Sequence, residues 1–285
     1  MEKIKIGTRG SKLAIAQTKI VENALKQEFP NLQTEIVIIH TKGDKILDKP
    51  LSEIGDKGLF INEFEEALFN KQIDIAVHSA KDLPSELREG LEIICTPKRA
   101  DAMDVLISRK NLKTISIVGT SSPRRDFYIK KYFPNVEVKM IRGNIDTRLK
   151  KLSNGEYDAI VLAKAGLDRL KLPTEEFDIK IFDIESFLPA ACQGIIAVEA
   201  RNDFEYLNQL QQINDEQTFL QYKMEREVLK SLQVSCSEVN AVYCSIVKDN
   251  QVELFIMYRG KETKIIGEYS KVFTQIPQIV SQIKS

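Results

Sequence analysis

The chain has no tryptophan, two histidines (His40 and His78) and four cysteines in 285 residues. The cysteines, at 95, 192, 236 and 244, form no C-x-x-C pair. With that spacing and so few histidines, a structural zinc site lacks its ligands. The thiols are expected to be free and mostly buried as small hydrophobes. Net charge is also missing, since 41 basic side chains balance 41 acidic ones. A dedicated nucleic-acid binder carries a basic excess, so neither DNA nor RNA is expected as a partner. No apolar run approaches the ~20 residues that span a bilayer, so no membrane is expected either. The opening Met-Glu-Lys-Ile-Lys-Ile leads into a strand without a signal-peptide core, which makes a cytoplasmic location the expectation. Low-complexity tracts and Gly/Ser-rich linkers are absent as well.

What is present is the composition of a folded chain, 43% apolar and 29% charged, with length for two domains or three small ones. Strand-like runs alternate with helical ones. Lys3 to Gly7 reads as a strand, and Ser11 stands as N-cap to an amphipathic helix with Leu13, Ala16, Ile20, Ala24 and Leu25 on one stripe. Thr34 to His40, Ile73 to Val77 and Leu91 to Thr96 continue the strands, with a helix from about Asn62 to Asn70. After Pro97 the pattern restarts. Strands are expected at Asp104–Ile107, Ile115–Gly119, Val136–Ile141 and Tyr157–Ala163, with helices opening near Pro123 and Asn144 and over Ala165 to Leu170. The fold class is therefore α/β, with two units of mostly parallel sheet covered on both faces.

Phe187 to Arg201 reads as a loop and a returning strand that crosses back into the first sheet. Asn202 to Leu232 is helical, Ala241 to Ile266 alternates like antiparallel strands with turns at Asp249-Asn250 and Arg259-Gly260, and a short helix is expected from about Pro277. The expected division is a discontinuous first domain (1–97 with 194–215), a second (98–193) and a small α+β third (216–285), which is near the lower limit for a free-standing core.

The chemistry centres on Asp74-Ile-Ala-Val-His78-Ser-Ala-Lys81-Asp82-Leu-Pro84. A buried strand that stops abruptly delivers Asp82 to the edge where parallel α/β sheets place their sites. A carboxylate there can act as general acid or base, or face a developing cation. Arginines recur at expected loop-to-helix junctions: Arg9, Arg124, Arg125, Arg142, Arg148 and Arg169. Helix N-termini already favour anions, and guanidinium forks added there suit carboxylate or phosphate. Thr120, Ser121 and Ser122 add donors to the same concavity. The pattern suggests a cleft between two domains that holds a substrate with several negative charges. Cys236 lies in a loop between elements, where a thiolate can be a nucleophile or a covalent anchor, although the spacing alone favours an inert thiol.

These residues together resemble the porphobilinogen deaminase (hydroxymethylbilane synthase) family. The likeness spans residues 4 to 236 through GTRGSKLAIAQ (7–17), TKGD (41–44), IGDKGLF (54–60), DIAVHSAKDLP (74–84), GTSSPRR (119–125), IRGNIDTRLKKL (141–152), DAIVLAKAGLDRL (158–170), PAACQG (189–194) and ER (225–226). The resemblance implies three domains, the first two like those of periplasmic binding proteins. It implies an enzyme that joins four porphobilinogen molecules with loss of ammonia on a dipyrromethane cofactor bound by thioether to Cys236. Asp82 matches the catalytic aspartate. Lys81, Ser122, Arg124, Arg125, Arg142, Asp44, Thr120 and Ser121 match cofactor residues, and Arg9, Ser11, Lys57, Arg142, Arg148, Arg169 and Gln193 match substrate residues. No metal is implied, and the family's habit is a monomer. The chain departs from the pattern at Val234-Ser235-Cys236, where the family usually has Gly-Gly-Cys, and at Cys192, where a small residue, often glycine, precedes Gln-Gly. The competing reading is a two-lobed anion-binding module without catalysis; retention of both Asp82 and Cys236 favours the enzyme.

Overall fold

The computed structural model describes residues 3–41, 61–84, 86–172, 175–233 and 238–285. Asp44, Lys57 and Cys236 lie outside them. The chain divides into two compact units, one formed by the described residues up to Ala100 together with Gly194–Lys223, the other by Asp101–Gln193 with Met224–Ser285.

In the first unit the five-stranded sheet runs in the order Thr34–Ile38, Ile4–Thr8, Ile75–Ser79, Ile196–Arg201, Leu91–Cys95. Ile196–Arg201 is antiparallel to both neighbours and the remaining pairs are parallel, so four strands point one way and one points back. The reversed strand is the returning segment expected from the sequence, buried along its whole length. Ile4, Ile6, Ile75, Val77, Val198 and Ala200 form one core with Val21 and Leu25 of helix Lys12–Glu28. That helix buries Gln17, Thr18, Val21 and Leu25. The apolar stripe expected through Ile20 is displaced, and Ile20 is exposed. Two polar residues can go inside because both are satisfied: Thr18 Oγ1 donates to Ala14 O at 2.9 Å, and the Gln17 amide meets Ser79 Oγ at 2.9 Å.

The second unit repeats the plan. Its larger sheet has the order Glu137–Lys139, Ile117–Gly119, Ala159–Ala163, Asp104–Arg109, Phe177–Ile181, again with one reversed strand, Asp104–Arg109. The edge strand Phe177–Ile181 was not expected. Four of its five residues are exposed, and without a buried face the apolar alternation carries no signal.

Strands Asn240–Ile246, Gln251–Tyr258 and Lys261–Glu268 form an antiparallel meander. Both expected turns are present, with Asn250, Arg259 and Gly260 at positive φ. The first two strands of the meander bury residues on both faces, while Lys261–Glu268 has none fully buried. Val242, Cys244, Leu254 and Ile256 pack on helices Glu216–Leu232 and Tyr269–Lys284, while Ala241, Phe255 and Met257 share a core with Tyr128, Phe182 and Phe187. That second core is why the tail clusters with the 101–193 segment. Two helical expectations are corrected. Leu207–Gln211 and Glu216–Leu232 are separate helices, because Asn214 turns its carboxamide to Thr96 N at 2.8 Å and Asp215 receives Thr218 N at 2.8 Å. The last helix begins at Tyr269 and contains Pro277; burial of Val272, Ile276, Val280 and Ile283 holds it despite the missing N–H.

Candidate functional site

Ile75–Ser79 is inserted between a parallel and an antiparallel neighbour, and the turn Ala80–Asp82 follows it directly. Ala80 N donates to Ile195 O at 3.0 Å, Leu83 N closes the turn onto Ala80 O, and the Leu83 side chain is buried. The turn is thus fixed at both ends while Lys81 and Asp82 are exposed. Beneath it, His78 Nε2 lies 2.9 Å from Glu199 Oε2, both groups buried, with Phe64 edge-on to the imidazole at 5.0 Å. The register pairs Gly7 with Ala76, so Arg9–Ser11 and Ala80–Asp82 leave adjacent parallel strands at one edge of the sheet. Ser11 caps helix Lys12–Glu28 by accepting Ala14 N at 3.2 Å, and Arg9 is half-buried. The Gln17–Ser79 contact ties that helix to the end of strand Ile75–Ser79.

In the second unit the corresponding edge collects the basic residues. Ser122 caps helix Pro123–Tyr132, with Pro123 in the first turn. Thr120 Oγ1 accepts Ser122 N at 3.2 Å, and Ser121 Oγ donates to Ile141 O at 2.6 Å, joining two adjacent strand ends. Arg124 and Arg125 are buried and converge on Asp104. Arg124 Nη2 reaches Asp104 Oδ2 at 2.7 Å and its Nη1 donates to Leu188 O at 2.6 Å; Arg125 donates to Val161 O at 3.0 Å as well as to the carboxylate. Gln193 Nε2 donates to Asp104 Oδ1 at 2.9 Å and to Ala102 O at 2.6 Å. Burial alone raises the Asp104 pKa, but the two guanidiniums and the amide outweigh it and hold the carboxyl at about 2. Burial in turn lowers Arg124 from the usual guanidinium range.

Gly143 adopts φ +114°, which needs glycine, and its carbonyl accepts Arg148 Nε at 2.8 Å. Arg148 opens into helix Ile145–Ser153 and is pushed down to about 10, first by burial and then by repulsion from Arg125 and Arg142. Arg169 is lowered to about 10 by burial, with Asp168 opposing. It stands in the last turn of Lys164–Leu170, not at a helix N-terminus as the junction pattern suggested.

Arg9, Ser11, Lys81 and Asp82 therefore share one sheet edge, and Thr120, Ser121, Ser122, Arg142 and Arg148 share another. Half-buried guanidiniums beside helix N-termini can bind carboxylates; an exposed carboxylate on a rigid turn can exchange a proton or face a cation. Arg124, Arg125 and Gln193 are committed to Asp104 and to main-chain carbonyls. Sequence reasoning missed Asp104, whose signal was a lone acid opening the apolar run Asp-Val-Leu-Ile. It also missed Glu199, an acid within Ile-Ala-Val-Glu-Ala, and the partners of Glu225. Cys95, Cys192 and Cys244 are free and buried, as expected, and burial pushes the Cys95 thiol up to about 12. Among the described residues no cluster is suited to a metal ion.

A family model described as porphobilinogen deaminase, dipyrromethane cofactor binding domain, matches residues 4–209. Among curated relatives, the porphobilinogen deaminase of Acetivibrio thermocellus is 42% identical over 266 residues, covering 92% of this chain and 90% of that one. The Brevibacillus brevis enzyme of the same name is 45% identical, with 93% and 87% covered. The Exiguobacterium enzyme is 45% identical, with 99% and 95% covered. Among solved structures, a periplasmic binding protein of Salmonella typhimurium aligns with a TM-score of 0.43 and 11% identity, over 77% of this chain and 94% of that one.

Proposed function

We infer the chemistry of this protein from its family, for the chain belongs to the porphobilinogen deaminases. Its activity is that of a hydroxymethylbilane synthase, a transferase of tetrapyrrole biosynthesis. It joins four porphobilinogen molecules head to tail, releases ammonia at each condensation and frees hydroxymethylbilane by hydrolysis. Its cofactor is a dipyrromethane attached to a cysteine, which we assign as Cys236.

Whether the residues suit that group is a question of charge, because a dipyrromethane of this kind carries several carboxylates. The observation that supports the fit is the depressed Arg148, crowded by Arg125 and Arg142 in a half-buried setting. Like charge concentrated in this way is relieved by a bound polyanion. When bound, the dipyrromethane supplies the terminal pyrrole carbon to which the first substrate is joined.

The chain's own residues divide the work in this reading. Lys81, Thr120, Ser121, Ser122 and Arg142 hold the cofactor carboxylates, and Asp44, itself an anion, is assigned to the same cofactor without a carboxylate-binding role. Arg9, Ser11, Lys57, Arg142, Arg148 and Arg169 take those of incoming porphobilinogen. Arg124, Arg125 and Gln193 act through Asp104, as a rigid floor under Arg142 and Arg148. Asp82 is the catalytic group. Loss of ammonia needs a proton at the leaving nitrogen and leaves positive charge on the substrate ring; a carboxylate that can carry the proton and then face the cation lowers both barriers.

We further propose that the functional domains are 1–97 with 194–215, 98–193 and 216–285, and that the protein works as a cytoplasmic monomer without nucleic acid. Among the described residues no helix is long and apolar enough to cross a membrane. Intact-protein mass spectrometry tests the reading. Protein from tetrapyrrole-producing cells is expected to carry the added mass of a dipyrromethane, and Cys236→Ser to remove it. A wild-type mass equal to the bare chain would reject the assignment and leave the anion-binding module.

A further inference from the structure

Strand Ile75–Ser79 and the returning strand Ile196–Arg201 run antiparallel, with His78 opposite Ala197 and Ala76 opposite Glu199. His78 and Glu199 are thus diagonal neighbours on one face of the sheet, and their side chains meet at 2.9 Å, Nε2 to Oε2, both residues being buried. Among the described residues Glu199 Oε1 has no hydrogen-bond partner, so the His78 contact is what fixes the carboxylate. The ladder runs one step past the strand, because Ala80 N donates to Ile195 O at 3.0 Å from within the turn that carries Lys81 and Asp82. The other side of the returning strand is irregular. Its pairing with Leu91–Cys95 covers Val198 to Arg201 and shifts register between Val198 and Glu199, the kind of bulge at which a strand bends and its twist increases. Ile195, which anchors the turn, lies beyond that bulge. The place of Asp82 at the sheet edge therefore depends on how Ile75–Ser79 is seated against the returning strand, and the His78–Glu199 bond crosses that seam.

We propose that His78 and Glu199 are positioning residues for Asp82: their hydrogen bond sets the offset of the two strands and hence the seat of the turn that presents the carboxylate. This rests on the assignment of Asp82 as the catalytic group. The physical argument is that main-chain ladder bonds repeat along a strand, and a slip of two residues keeps every side chain on its own face, whereas a directional bond between two particular side chains exists in one register alone. An apolar pair of similar volume would hold the strands together as well or better, because burying polar groups carries a desolvation cost. Apolar contact has no direction, so it would not fix the offset. Stability and turnover are therefore expected to part company when the pair is made apolar.

The test uses the full chain produced in tetrapyrrole-making cells, as wild type, Glu199→Gln, the double variant His78→Phe/Glu199→Leu and, for reference, Asp82→Asn. Melting temperature, amide hydrogen exchange, and kcat and KM for porphobilinogen per cofactor-loaded molecule are measured on each, with loading read from intact mass. Glu199→Gln keeps an oxygen that accepts the imidazole N–H, and its kcat is expected within about threefold of wild type. The double variant is expected to melt within about 3 °C of wild type. Its kcat is expected to fall at least ~10-fold with KM within about twofold, as for a displaced catalytic group. Its Ala80 amide is expected to exchange at least ~10-fold faster, while the amides of Val21 and Leu25 in the core helix exchange as before. A double variant that keeps both stability and turnover, one that loses its stability, unchanged exchange at Ala80, or a Glu199→Gln variant as slow as the double overturns the proposal. Normal turnover by Asp82→Asn would instead mean that the reading of Asp82 has failed; there, and where a variant takes up no cofactor, exchange at Ala80 alone decides whether the pair seats the turn.

Discussion

Arg125 donates through both Nε and Nη2 to a single oxygen of Asp104, at 3.2 and 2.7 Å, while Arg124 holds the other oxygen. This ion cluster lies inside the protein, so removing one member leaves uncompensated charge. Asp104→Asn is expected to cost about 3–5 kcal/mol in chemical denaturation. The carboxyl is held at about 2 against an ordinary 3.8. Because the folded pKa is depressed, its contribution is fully present above the ordinary value and is lost as pH falls toward 2, an amount of about 2 kcal/mol. Urea midpoints measured across that window should fall more steeply for wild type than for Asp104→Asn. Parallel slopes would mean that Asp104 does not carry the linkage.

Asp82 is exposed on a turn whose anchors are main-chain bonds and the buried Leu83. Asp82→Asn should therefore keep its melting temperature and lose turnover by about 10²-fold or more. Porphobilinogen consumption by cofactor-loaded protein is the measurement. Near-normal turnover would remove Asp82 from the proton-transfer role.

Arg148, proposed above to bind substrate, carries a cost to the fold. Its folded pKa is lowered to about 10, so the cation is disfavoured by folding and stability rises as pH rises through that value. Arg148→Leu loses the Gly143 hydrogen bond, about 1 kcal/mol, but also relieves burial and repulsion. The melting temperature is expected to stay within about 2 °C of wild type, while hydroxymethylbilane yield falls at least ~10-fold and complexes with fewer pyrroles accumulate. Unchanged yield would count against substrate binding by Arg148.

The His78–Glu199 pair lies beneath the Ala80–Asp82 turn. Among the described residues Glu199 Oε1 has no hydrogen-bond partner, so His78→Ala would remove the partner that Oε2 has there. A loss of about 3–5 kcal/mol is expected, with turnover falling because Asp82 follows four residues on. The His78→Ala/Glu199→Ala double variant should cost less than the sum of the singles. Additive losses would show that the two residues are not coupled.

Much of the architecture was legible because its signals are local. Ile75–Ser79 and Ala159–Ala163 read as apolar runs, Ser11 as a cap, Pro123 as the opening of a helix, and Asn250 and Arg259-Gly260 as turns. What was not legible depended on partners distant in the chain. Asp104 meets Arg125 across 21 residues, and His78 meets Glu199 across 121. Nothing in the order of residues shows that Arg124 and Arg125 spend their donors inside the protein while Arg148, of the same chemical type, stays half-buried beside Arg142. Pro277 misled for the opposite reason: its local veto on a helix was overridden by the apolar stripe on either side.

The reversed strand in the first sheet governs the order in which the newly made protein can fold. All five strands of the second sheet come from one stretch, residues 104 to 181, and can assemble once that stretch has left the ribosome. The first sheet begins with residue 4, yet its fourth strand is not synthesised until residue 201. The half made first is therefore completed second. During translation, Ile75–Ser79 and Leu91–Cys95 wait with unpaired edges for a strand still to be made, and those edges are where a chaperone or an aggregate would take hold.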